Sequence, residues 1–115
     1  MEDKLQDLKA RLIEASDLST AGAVLYWDQS TYMPSGGAAA RARQMATLSK
    51  LAHDKLTDPA IGRLLDDLEP WAESLPYDSD EAALIRQTRR VYEREIKVPS
   101  DFAATIANHT AETFQ

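Results

Sequence analysis

The sequence predicts an all-α protein of about five helices in an antiparallel helical array. Apolar residues recur at intervals of three and four along most of the chain. No stretch of useful length alternates in the way a strand requires, and prolines and glycines fall between the periodic segments. With 115 residues, 43% of them hydrophobic and 28% charged, the chain has the size and composition of one globular domain, residues 1–115.

The first predicted helix begins near the N-terminus and runs to about Tyr32. Its apolar stripe is formed by Leu5, Leu8, Leu12, Ala15 and Leu18. Gly22 weakens the middle of this helix by roughly 1 kcal/mol relative to alanine. Pro34 disfavours helical backbone at the residue before it and therefore ends the element.

Two further helices follow the turn made by residues 35–37. The second is predicted from Ala38 to Leu56. Asp58 and Pro59 then combine an N-capping aspartate with a proline at the first helical position, which begins a short third helix. The stretch from Glu69 to Tyr77 contains two prolines and is predicted to be a loop anchored by Trp71.

A fourth helix is predicted to begin at Asp78, with Glu81 completing a capping-box-like start. This helix carries Leu84, Ile85, Thr88, Val91, Tyr92 and Ile96. Pro99 interrupts the pattern, and a fifth helix is predicted after it. The prediction of this fifth helix is based on the spacing of Phe102, Ile106, His109 and Thr113.

Charge and composition narrow the classes of function. A net charge of −6 and a pI near 4.8 argue against nucleic-acid binding and disfavour an anionic membrane surface. The chain has no cysteine, so it has neither disulfides nor a thiolate zinc site. The acidic start does not resemble a secretory signal, and the longest apolar run, Ala21 to Trp27, is far shorter than the ~20 residues of a membrane span. We therefore expect a cytoplasmic protein.

The sequence assigns no catalytic and no metal-binding residue. Hydrolytic zinc needs three protein ligands, and the chain has two histidines, His53 and His109, far apart in sequence. The H-E-x-x-H pattern that places two ligands on one helix face is absent. Both histidines are expected to be ordinary surface or half-buried residues.

Asp28, which follows Trp27, has two interpretations. The first interpretation is a carboxylate with a raised pKa in an aromatic pocket. The second is a helix-end aspartate that accepts hydrogen bonds from nearby backbone or side chains. We favour the second, because no other catalytic group stands at a fixed spacing from it. Arg41 and Arg43 are expected on a solvated face, with pairing to Asp28 as the alternative, and the same solvated surface is expected for Arg86, Arg89 and Arg90.

The aromatic cluster around Asp28 has two interpretations as well. Tyr26, Trp27, Tyr32 and Met33 are core residues where two helices cross, or they form a docking surface for other protein. Tryptophan and tyrosine suit docking because they combine a large apolar area with a polar atom. Together with Asp28 and Arg41, these four are the candidate packing or docking residues.

The stretch YWDQSTYMPSGGAAAR, residues 26–41, resembles the signature W-D-Q-x-T-x-M-P-x-G-G-A-x-x-R of the carboxypeptidase Taq family of metallocarboxypeptidases. The resemblance covers nearly the whole chain. It is most specific at WDQSTYMPSGGAAARARQMATLSKLAHD and looser at DEAALIRQTRRVYEREIKVPSDF. Ser35 stands where the family often has a second proline, a departure that affects the shape of the turn.

The resemblance implies that the chain is the N-terminal part of a larger, almost wholly helical enzyme. Such an enzyme removes C-terminal amino acids from peptides with broad specificity and uses zinc or cobalt, and it is commonly a homodimer. The family's metal-binding and substrate-binding motifs lie beyond the matched region. The chain is therefore expected to be inactive alone and to form a lid or wall of the substrate cleft with the remainder of the catalytic domain as its partner. The alternative is a freestanding helical protein-interaction module.

Overall fold

The computed structural model describes residues 1–31 and 36–99 of the chain, and helices are the only regular secondary structure in these ranges. The four helices are α1 (Glu2–Thr31), α2 (Ala38–Leu56), α3 (Pro59–Glu73) and α4 (Asp80–Glu95). The predicted all-α class is confirmed. The predicted count of about five is not, since this part of the chain has four helices. The fifth predicted helix falls in residues 100–115, which lie outside the described residues.

The long helix α1 packs against both α2 and α3. Ion pairs along α1 show which of its residues lie beside which residues of these two helices. As the position on α1 falls, the position of the partner rises, through Asp28–Arg41 at 2.8 Å, Glu14–Lys55 at 2.9 Å and Lys4–Asp67 at 2.7 Å. Helices α2 and α3 therefore run one after the other along α1, both antiparallel to it. The two shorter helices α2 and α3 together cover about the length of α1.

Helix α4 reverses the chain direction again. Arg89 in its middle contacts Glu69 and Asp66 of α3, and Glu95 at its end contacts His53 of α2. Helix α4 is consequently antiparallel to α3 and ends beside the last turns of α2.

The main hydrophobic core lies where the first turns of α1 meet α3 and α4. Its buried members are Leu5, Leu8, Ile61, Leu64, Leu65, Leu68 and Ile85. The later turns of α1 bury much less, and the side chains of Val24 and Trp27 are 60% and 64% exposed. The core is therefore at one end of α1, and the family-like stretch of residues 26–41 begins near the other.

The prediction of a loop from Glu69 to Tyr77 was wrong over its first half, because α3 continues through Pro70 to Glu73. A proline inside a helix removes one backbone hydrogen bond, here the bond to the carbonyl of Asp66. Asp66 is exposed, so water can satisfy that carbonyl. The side chain of Trp71 packs against the core, as predicted, and its burial favours continuing the helix.

Capping residues fix where α3 and α4 begin. The carboxylate of Asp58 accepts a hydrogen bond from the backbone N–H of Ala60 at 2.9 Å, as predicted for an N-cap. Ser79, rather than Asp78, caps α4 by accepting from the N–H of Ala82 at 3.3 Å. The predicted start of α4 was therefore one residue early.

Gly62 allows α3 and α4 to approach closely. A Cβ atom at this position would lie 2.7 Å from the hydroxyl oxygen of Tyr92 on α4, which is closer than non-bonded atoms normally come. The glycine thus leaves room for the Tyr92 ring, which packs against the core.

Candidate functional site

The family-like stretch places its arginine in contact with α1. The Nη2 atom of Arg41 lies 2.8 Å from Oδ2 of Asp28, and its Nη1 donates a hydrogen bond to the backbone carbonyl of Leu25 at 3.2 Å. The Arg41 side chain is 18% exposed. It therefore does not lie on a solvated face, and the pairing with Asp28 that we gave as the alternative is the arrangement observed.

This pair joins the first turns of α2 to the last turns of α1. The carboxylate of Asp28 accepts from the guanidinium of Arg41, which agrees with the hydrogen-bonding interpretation that the sequence favoured. An ion pair of this geometry, with one partner mostly shielded from water, is stronger than a fully exposed pair. It therefore helps to hold the two helices in register.

The aromatic candidates are not all in one environment. Tyr26 is half-buried and lines a groove between α1 and α2, whereas Trp27 is exposed. Tyr32 and Met33 lie outside the described residues. The described aromatic residues therefore divide between the two interpretations, with Tyr26 packing between helices and Trp27 on the surface.

His53 was expected at the surface or half-buried, and this was wrong, since its side chain is 5% exposed. Its Nδ1 lies 3.1 Å from Oε2 of Glu95, and its Nε2 contacts the backbone carbonyl oxygen of Val98. These partners lie more than 40 residues further along the chain. Sequence periodicity gives no signal for such a contact, which is why the sequence analysis missed it.

Residues 1–31 and 36–99 do not offer a metal site. No three His, Cys, Asp or Glu side chains in these ranges are grouped so that they could hold a metal ion. Both ring nitrogens of His53 are already in contact with Glu95 and Val98. His109 lies outside the described ranges, and no catalytic or metal-binding role is assigned to any residue.

Of the three α4 arginines expected on a solvated surface, Arg90 is exposed, whereas Arg86 and Arg89 are half-buried and make specific contacts. Arg89 contacts Glu69 at 2.6 Å, Asp66 at 2.7 Å and Glu93 at 3.2 Å. Hydrogen bonding to Glu69 is the main cause that raises the pKa of the Arg89 guanidinium above its usual range. The guanidinium of Arg86 stacks over the ring of Tyr77, 3.8 Å from its centroid. These contacts connect α3, the α3–α4 turn and α4, and they are structural.

We expect a double-mutant cycle on Arg41→Ala and Asp28→Ala to give a coupling energy of about 0.5–1 kcal/mol in urea unfolding, because Arg41 is largely shielded from solvent. The matched control is the more exposed pair Lys4→Ala and Asp67→Ala, whose side chains are about half exposed. A coupling energy for Arg41 and Asp28 no larger than that of the control pair would show that the contact does not hold the helices.

Comparison with known proteins agrees with the resemblance seen in residues 26–41. Residues 7–115 match the family described as "Carboxypeptidase Taq (M32) metallopeptidase". "Thermostable carboxypeptidase 1" of Thermus thermophilus is 40% identical over 101 residues, which cover 86% of this chain and 19% of that relative. No solved structure matches the chain.

The chain therefore corresponds in length to about one fifth of the curated relative that it matches. None of the four helices in the described residues has the length and apolarity to cross a membrane. The family match extends over 109 of the 115 residues, from position 7 to position 115, and includes both helices joined by Arg41 and Asp28. The chain belongs to the carboxypeptidase Taq (M32) metallopeptidase family.

Proposed function

We propose that this chain is the N-terminal region of a metal-dependent carboxypeptidase that releases C-terminal amino acids from peptides, and that it does not catalyse the reaction alone. The observation that carries this proposal is the 40% identity to a thermostable carboxypeptidase of which the chain covers 19%. The described residues group no metal ligands, so no step of catalysis is assigned to them. The metal, zinc or cobalt, would be held by the rest of the enzyme.

The role we propose for the region is a lid or wall of the substrate cleft. Its core lies where the first turns of α1 meet α3 and α4, so the later turns of α1 take no part in that packing. Val24 and Trp27 expose apolar surface there, which suits contact with the remainder of a catalytic domain. The ion pair of Arg41 with Asp28 supports this surface by holding α2 against α1.

The test of this proposal is a peptidase assay on two proteins. We expect the 115-residue chain with added zinc or cobalt to release no C-terminal amino acid from an N-blocked peptide. The protein encoded by the complete reading frame is expected to release it, to lose activity with a chelator and to recover it with either metal. The Thermus enzyme serves as the positive control.

Two results would contradict the proposal. Metal-dependent release of amino acids by the 115-residue chain would show that the region is catalytic. A reading frame that stops after Gln115, with no H-E-x-x-H sequence encoded downstream, would show that no larger enzyme exists. That second result would favour the freestanding interaction module, which the exposure of Val24 and Trp27 also suits.

A further inference from the structure

His53 joins the end of α4 to α2 through both nitrogens of its ring. The Nδ1 atom lies 3.1 Å from Oε2 of Glu95, the last residue of α4, and Nε2 contacts the backbone carbonyl oxygen of Val98. The imidazole is 5% exposed, so water has little access to it. These two contacts therefore attach the last turn of α4, and the chain as far as Val98, to α2.

The chemistry of these partners determines how many protons the contact needs. A carbonyl oxygen and an ionised carboxylate only accept hydrogen bonds, whereas a neutral imidazole donates from one nitrogen and accepts at the other. A neutral ring beside an ionised Glu95 therefore turns a lone pair towards either the carboxylate or the Val98 carbonyl. Both contacts are satisfied when the ring carries two hydrogens, and equally when the Glu95 carboxyl holds the proton and donates it to Nδ1. In each case the His53–Glu95 pair holds one proton more than a neutral imidazole beside a carboxylate.

The helices packed around the ring bring other charged and titratable groups, which keep their charge near neutral pH. From α1, Tyr26 lines the groove that His53 also lines, and a tyrosine hydroxyl loses its proton only near about pH 10. From α4, Arg94 lies 3.6 Å from Oε1 of Glu95 and stays positively charged. On α2 itself, Lys50 and Asp54 are exposed and titrate far from neutral pH. The proton that is gained or lost near neutral pH is therefore the one shared by His53 and Glu95.

We propose that the contact of His53 with Glu95 and Val98 is a proton-dependent latch, closed while the His53–Glu95 pair holds its proton and released as the pH rises. In the open state the imidazole is in water, where it takes up a proton only below about pH 6.5. Above that pH the closed state binds one proton more than the open state, so each pH unit favours the open state by up to about tenfold. Just below it both states hold the proton, and the dependence on pH disappears.

Release of the latch separates the end of α4 from α2. The device therefore controls how the chain leaves α4, and a rise in pH loosens that connection. The proposal concerns the packing of this chain and does not depend on catalysis, so activity of the isolated chain would leave it intact.

The test compares the unchanged chain with Glu95→Gln. A glutamine amide donates to Nδ1 while Nε2 donates to the Val98 carbonyl, so this variant closes the latch without an extra proton. We expect the unfolding equilibrium constant of the unchanged chain, divided by that of Glu95→Gln, to rise by about three- to tenfold between about pH 7 and about pH 8. Urea unfolding followed by circular dichroism measures both constants, and the titration of groups common to both proteins cancels in the ratio.

The matched control is Glu93→Gln, the same chemical change on α4 at a carboxylate that contacts Arg89 at 3.2 Å. The unfolding constant of the unchanged chain divided by that of Glu93→Gln is expected to stay constant over the same range of pH. A ratio for Glu95→Gln that is also constant, or that falls as the pH rises, would overturn the proposal, because the pair would then gain no proton when the latch closes.

Hydrogen exchange gives a second measurement, which decides the matter if Glu95→Gln does not fold. The backbone N–H groups of Ile96 and Val98 donate to the carbonyls of Tyr92 and Glu95, both at 3.0 Å. We expect the protection factors of these two amides in the unchanged chain, which already correct for the intrinsic exchange rate, to fall by about three- to tenfold between about pH 7 and about pH 8. Protection factors that do not change over this range would contradict the proposal.

Discussion

Replacing Leu65 by alanine is expected to lower the free energy of unfolding by about 2–5 kcal/mol, the usual range for a buried leucine. Leu65 is fully buried among residues of α1, α3 and α4, and its removal leaves a cavity that these helices cannot easily fill. Domains of this size have only about 5–15 kcal/mol of stability, so the loss is a large share of the total. Urea unfolding followed by circular dichroism measures it.

The matched control is Leu51→Ala, the same chemical change at a leucine that is 43% exposed. We expect it to lower the free energy of unfolding by less than about 1 kcal/mol, since much of the removed surface already contacts water. Equal losses for Leu65→Ala and Leu51→Ala would contradict the placement of the core. An unchanged slope of the free energy against urea in both variants is needed for the comparison.

Replacing His53 by leucine is expected to lower the free energy of unfolding by about 1–3 kcal/mol, because the Glu95 carboxylate and the Val98 carbonyl then lose their polar contacts with the imidazole ring. The shape of the side chain is roughly kept, so the loss reports the polar contacts rather than a cavity. Hydrogen exchange should show the effect most strongly in the last turn of α4, which His53 holds against α2.

Two further variants separate the contributions at this site. His53→Gln keeps a donor and is expected to recover part of the stability lost in His53→Leu. Glu95→Gln removes the carboxylate charge while keeping an acceptor, so it should cost less than His53→Leu. If His53→Leu were as stable as the unchanged protein, the contacts of the imidazole with Glu95 and Val98 would not hold the end of α4.

The boundaries of the helices could largely be predicted from local sequence. The glycines at positions 36 and 37 and the Asp58-Pro59 pair act on the backbone within a few residues, so they fixed the extent of α2 and the start of α3. The internal Pro70 was the exception. Local rules favoured a loop there, and the packing of Trp71 against the core outweighed the lost hydrogen bond.

The contacts made by the candidate site residues could be predicted less well than the helix boundaries, because they depend on tertiary structure. The sequence identified Asp28 and Arg41 as candidates and ranked their pairing second, because spacing along the chain does not reveal which helix faces meet. The burial of His53 and the contacts of Arg89 were missed for the same reason. The contacts of His53 with Glu95 and of Arg89 with Glu69 join residues at least 20 positions apart, on different helices.

The sequence by itself determined the helical class, most helix boundaries and the resemblance to a metallocarboxypeptidase family. These depend on periodicity, turn residues and a motif, all of which are local properties of the chain. Only the tertiary structure decided that α2 and α3 together match the length of α1 and that the His53 imidazole holds the end of α4. It also located the apolar groove beside the family-like stretch. Such features arise from contacts between distant helices, whose faces meet only once the whole chain is packed.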